Sequence, residues 1–151
     1  MIFNFIKNKN KKESQNEETD FIKIIALLIH AAKIDENYSE KEKKLIVDFV
    51  EIFGDNKKDK EKIKDIIDQA EKYEKNSNQI LEFTQEVKKM NFNKKRRVLE
   101  FLWKIILSDN KSDVYESNFM RRICGLLYLP DKLSGEIKLN IIRKKKNDLH
   151  S

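Results

Sequence analysis

Apolar positions recur at three- and four-residue intervals along almost the whole chain, and one arrangement of them occurs twice. Residues 24–53 read IIALLIHAAKIDENYSEKEKKLIVDFVEIF, and residues 98–127 read VLEFLWKIILSDNKSDVYESNFMRRICGLL, an offset of 74. Before the polar centre the apolar pairs are Ile24/Val98, Ile25/Leu99, Leu27/Phe101, Leu28/Leu102, Ala31/Ile105 and Ala32/Ile106. After it they are Leu45/Phe119, Ile46/Met120, Phe49/Ile123, Val50/Cys124 and Phe53/Leu127. The acidic pairs kept in both copies are Asp35/Asp109 and Glu42/Glu116. Each copy is thus an apolar helix, an Asp, six residues, a Glu and a second apolar helix.

The spacing predicts seven helices. Thr19 or Asp20 caps the first, with Glu17 and Glu18 near its positive end, and it runs to about Lys33. Ser39 starts the second, which stops at Gly54, a residue suited to follow a helix. A polar connection over 55–59 leads to a third helix, marked by Ile63, Ile66, Ile67, Ala70 and Tyr73. Asn76, Ser77 and Asn78 break it. The fourth helix buries Ile80, Leu81, Phe83, Thr84 and Val87. Asn93 caps the fifth, which carries Trp103. Asp113 caps the sixth, which ends before Pro130. The seventh starts near Asp131, with Leu133, Ile137, Ile141 and Ile142 inside and the cations of 143–146 at its negative end. The expected fold is all-α: a compact seven-helix domain over 19–146, built from two pseudo-repeated helix pairs. A flexible basic segment, 1–18, precedes it and a disordered tail, 147–151, follows. Two copies are too few for a solenoid.

Composition agrees with this reading. One proline, three glycines and 38% charged residues favour long helices over a stranded fold. Cys124 is the sole cysteine, so no internal disulfide forms, and its match to Val50 assigns it to the core. No run reaches the roughly 20 apolar residues of a membrane span. The best candidate, 21–34, is broken by Lys23, His30 and Lys33. The N-terminal residues do not read as a secretory signal, because the charges follow the apolar run.

The formal net charge of +6 is unevenly spread. Cations cluster at Lys7, Lys9, Lys11 and Lys12, at Lys94, Lys95, Arg96 and Arg97, and at Arg143, Lys144, Lys145 and Lys146. Such patches either meet phosphates of lipid or nucleic acid or stand as solvated helix ends. At the start of the chain Ile2, Phe3, Phe5 and Ile6 fall on one arc and lead directly into Lys7 and Lys9. That segment either folds back onto the domain or anchors weakly to an anionic membrane surface.

The two turns between paired helices are rich in oxygen. Ser39 and Glu42 have the spacing of a capping box, and Asp113 and Glu116 form its acidic variant. Asp35 and Asp109 are placed to accept loop N–H groups. The same oxygens, with those of Asn37, suit a hard cation such as Ca²⁺ or Mg²⁺. An EF-hand is excluded, because its sixth and twelfth positions would be Glu40 and Ile46, and the second copy places Met120 at the twelfth. No His or Cys accompanies the acids, which argues against zinc. Capping alone and capping with a cation both remain open on these residues.

An apolar helix with small residues, an Asp, and a Glu seven positions later at the next helix start resembles the tellurite-resistance TerB-like family. The resemblance covers roughly residues 20–143 and includes the doubled Asp-x6-Glu motif. The pattern is also similar to the N-terminal domain of membrane-anchored J-domain co-chaperones. The family implies an all-helical domain of bacterial stress-response systems. Its acidic cluster, carried over residue by residue, implies a metal site at Asp35, Glu42, Asp109 and Glu116. The family's Gly after the Asp is replaced here by Glu36 and Asn110.

The first expectation is therefore a non-enzymatic, cytoplasmic interaction or stress-response module with a protein partner and a divalent cation. A peripheral membrane protein using residues 1–12, at the inner membrane, is the alternative. A nucleic-acid binder using the basic patches is a third reading, and it is not favoured, since no helix-turn-helix glycine or base-reading pattern is present. Phe92 and Trp103 lie near the first patch, but Trp103 belongs to the apolar seam. Catalysis and a small-molecule substrate are not expected. Neither His30 nor His150 has a nucleophile or ligand spacing around it, and His30 reads as a satisfied core or boundary histidine.

Overall fold

Between Lys11 and Ile34 the chain has no glycine and no proline, so nothing in the backbone stops a helix there. Helix α1 takes up that whole freedom, spanning Lys11–Ala32. Thr19 and Asp20 thus lie inside the helix instead of capping it, and residues 11–18, expected as a flexible segment, are helical. The structure is a computed structural model that describes residues 11–34, 38–54, 59–77, 80–109 and 114–150. Six further α-helices follow: α2 Glu40–Phe53, α3 Lys60–Asn76, α4 Ile80–Lys88, α5 Phe92–Ile106, α6 Val114–Leu126 and α7 Asp131–His150. A short 3₁₀ turn, Leu107–Asp109, extends α5. The fold is all-α, with seven α-helices and no strand among the described residues.

The chain divides into two compact units, residues 1–86 and 87–151, and each contains one copy of the repeated pattern. In the first unit α1 packs chiefly on α3, and α2 packs on both. Phe49 of α2 stacks between Phe21 and Phe53, with ring centroids 6.1 and 4.4 Å away. In the second unit α5 and α6 pack on α7. There the Trp103 indole donates to Ser134 Oγ at 2.9 Å, which satisfies two polar groups inside an apolar seam.

Burial follows the repeat position by position. Ile25/Leu99, Leu28/Leu102, Ile46/Met120, Phe49/Ile123 and Val50/Cys124 are all buried, and Leu45 and Phe119 are both half-buried. Cys124 is a free, buried thiol, and burial pushes it above the usual thiol range. The seven-helix pattern needs one correction inside α4. Ile80, Phe83, Thr84 and Val87 are buried, but Leu81 is 50% exposed, because it lies one residue around from the stripe.

Helix ends depart from the expected chemistry in four further places. Asn91, not Asn93, caps α5, its Oδ1 accepting from the Lys94 N–H at 2.9 Å. Gly54 ends α2 in extended backbone, φ −103°, so its tolerance of left-handed geometry goes unused. Helix α7 runs on to His150, since no Gly or Pro interrupts residues 136–150. Residues 147–150, expected as a disordered tail, are therefore helical, and Arg143–Lys146 precede the end of the helix. The fourth departure is at the end of α6. Leu129 N–H donates to Cys124 O at 2.9 Å and Tyr128 N–H to Gly125 O at 3.3 Å, the paired bonds of a Schellman motif. The left-handed position of that motif, usually glycine, is Tyr128, φ 57°. The nearby glycine, Gly125, sits one turn too early, inside the helix.

Two substitutions probe this ending. A Cβ at Gly125 would meet nothing within 4 Å, so Gly125→Ala is expected to raise stability by roughly 0.5–1 kcal/mol. Tyr128→Ala keeps the left-handed strain and Tyr128→Gly removes it. The Gly variant is expected to be the more stable of the two by about 1 kcal/mol in chemical denaturation.

Candidate functional site

A serine hydroxyl and a glutamate three residues on can satisfy each other's backbone N–H at a helix start. At α2 they do. Glu42 N–H donates to Ser39 Oγ at 3.2 Å, and Ser39 N–H donates to Glu42 Oε1 at 2.9 Å. The carboxylate is not on the surface: Glu42 is 4% exposed. Its counterpart at the first turn of α6, Glu116, is 3% exposed. Both acids sit where the helix dipole favours negative charge. Of the other two acids expected at the site, Asp35 lies outside the described residues, as do Asn37 and Asp113. The backbone of Asp109 closes the 3₁₀ turn after α5, and its side chain is likewise outside the description. Glu42 belongs to the first unit and Glu116 to the second. Among the described residues, no group of three His, Cys, Asp or Glu side chains is placed to hold a metal ion.

A family model described as Tellurite resistance protein TerB matches residues 21–139, a span that includes both helix pairs and both acidic turns. The chain belongs to the TerB family. No curated protein and no solved structure matches the chain.

Around the first turn the TerB domain has a polar lining that the repeat did not reveal. The Tyr38 hydroxyl donates to Glu71 Oε1 at 3.2 Å, and Lys43 lies 5.1 Å over the Tyr38 ring. Burial, and then the Glu71 charge, push the Tyr38 hydroxyl well above the usual phenol range, so it remains a donor. Further along α3, Glu74 accepts from Lys33 Nζ at 2.8 Å and faces His30 Nδ1 at 3.2 Å. This cluster ties the end of α1 to α3 and accounts for His30 as a satisfied boundary histidine. Its signal in the sequence was the register of Glu74, which continues the buried stripe Ile63, Ile66, Ala70. An acid on that stripe requires a cation opposite.

Two of the basic clusters are partly structural. Lys95 donates to the Leu127 carbonyl at 3.2 Å, at the end of α6. Lys145 donates to the Leu107 carbonyl, at the end of α5. Each lysine thus satisfies a carbonyl that a helix end leaves unpaired. Lys94, Arg96 and Arg97 stay exposed. The expected membrane-binding residues, Ile2, Phe3, Phe5, Ile6, Lys7 and Lys9, lie outside the described residues. No helix among those described is long and apolar enough to cross a membrane.

Because the buried Glu42 side chain accepts from the Ser39 N–H, Glu42→Ala is expected to lower the stability of the domain by about 1 kcal/mol. Glu42→Gln, which keeps an acceptor for the Ser39 N–H, is expected to cost less. Urea denaturation of the two variants measures the difference.

Proposed function

We propose that this TerB domain acts without catalysis, as a cytoplasmic interaction module of a bacterial stress response, and that its acidic turns hold Ca²⁺ or Mg²⁺ besides capping their helices. The observation that carries this reading is the burial of equivalent glutamates, Glu42 and Glu116, at the first turn of the second helix in both copies. A cap that only met N–H groups could stay at the surface. A carboxylate held out of bulk water at the same position of both copies is the type of oxygen ligand that a hard cation takes. The aspartates that the family motif pairs with these glutamates, Asp35 and Asp109, are the natural further ligands.

Thermal melting in EDTA and in millimolar Ca²⁺ or Mg²⁺ tests the cation. Saturation at one hundred times Kd adds about 2.7 kcal/mol, so the wild-type melting temperature is expected to rise by several degrees. Glu42→Gln and Glu116→Gln are expected to lose that rise while keeping most of their metal-free stability. Equal melting of the wild type with and without metal would leave capping as the whole role of these residues.

A further inference from the structure

The second unit is strongly basic: residues 87–151 hold sixteen Lys and Arg against seven Asp and Glu, a net charge of +9, whereas residues 1–86 carry −3. Several of these cations have structural partners. Lys104 pairs with Glu100, Lys138 covers Trp103, and Lys145 caps α5. Lys94, Arg96 and Arg97 are different. They are exposed on the first turns of α5, where no acidic residue accompanies them in the first turn. Cations at that end oppose the helix dipole, so they weaken the helix that carries them. Folding does not explain them.

The same end of the unit carries two large rings that its core does not cover. Phe92, on the first turn of α5, is 56% exposed, and Tyr128 is 74% exposed while held in left-handed backbone. The Schellman bonds hold the backbone there, but glycine would serve them better, and the exposed ring gains no burial in return. The Lys95 bond to the Leu127 carbonyl brings the start of α5 to the residue beside Tyr128. Lys88 stands 4.6 Å from the centre of the Tyr128 ring. Its hydrogen bond and charge, with that of Lys95, hold the tyrosine below the usual phenol range. One end of the unit thus combines two exposed aromatic rings with five cations.

We propose that this surface, formed by Phe92, Tyr128, Lys94, Arg96, Arg97 and Lys88, binds single-stranded nucleic acid without sequence preference. Bases stack on the rings and phosphates meet the cations, the combination that sequence-tolerant single-strand binding requires. Such binding needs no base-reading helix, so the lack of one in the sequence does not bear on it. An anionic membrane would also attract the charge. The large apolar side chains exposed beside these cations are rings, however, which offer a base a flat face and offer a bilayer little depth of insertion.

Fluorescence anisotropy of the full chain with a labelled twelve-nucleotide oligothymidylate tests the proposal. Binding is expected at low salt, with affinity falling linearly in log–log form as salt rises. Arg96→Gln with Arg97→Gln should reduce that slope by about 1.4, at roughly 0.7 per phosphate contact. Tyr128→Gly, which relieves the backbone strain and so preserves the fold, should weaken binding about fivefold or more. Tyr128→Phe keeps the ring and should bind within about twofold of wild type. Absence of oligonucleotide binding overturns the proposal, as does a Tyr128→Gly variant that binds like wild type. Binding to phosphatidylserine vesicles without binding to the oligonucleotide would assign the surface to a membrane and overturn it as well.

Discussion

Two segments of the chain are apolar on almost every side, and a helix of that kind is stable only when other helices enclose it. In residues 21–32 only Lys23 and His30 are even half-exposed, and in residues 98–107 only Glu100 and Lys104 are. The partly exposed residues stand seven and four apart, which confines solvent contact to a single line along each helix. Everything else must be covered. In the first unit α3 and α2 supply that cover for α1, and in the second α7 is the main partner of α5. The polar groups that must lie against these helices are paired: Glu74 with Lys33 and His30, and Trp103 with Ser134.

That constraint explains why the architecture was legible in the sequence. A stripe such as Ile24, Leu28, Ala31 or Leu99, Leu102, Ile106 leaves helix as the only regular structure that fits, and the 74-residue offset showed that it is used twice. Element ends were less legible. Asn91 and Asn93 are equivalent by composition, and the choice between them depends on where the preceding turn delivers the chain. The length of α1 is hard to read because a polar stretch such as Lys11–Glu18 lacks a stripe, although it also lacks any residue that would break a helix. The chemistry of Leu81 points to the core, whereas its register places it outside.

The site was legible in a different measure. Ser39 and Glu42 form the box that their spacing announces, and the burial of Glu42 and Glu116 adds what spacing could not give. The Glu74 cluster links residues 41 and 44 positions apart, a distance over which no local pattern operates. The lysines showed the sharpest divide. Composition presented Lys94–Arg97 and Arg143–Lys146 as two similar charge runs, yet Lys95 and Lys145 serve helix carbonyls while their neighbours face solvent. A charge run therefore mixes groups that hold the fold with groups that do not, and only the geometry separates them.

The bond from Lys145 to the Leu107 carbonyl bears on where the folding unit stops. The family match ends at residue 139, but the side chain that closes the exit of α5 lies six residues further on. A fragment trimmed to the matched span would keep both acidic turns and lose the clasp on the backbone that leads into the second one. The boundary of the family match and the boundary needed to close the exit of α5 are different. Shortened versions of this protein are therefore best cut beyond Lys145, so that a frayed end of α5 is not mistaken for a property of the family fold.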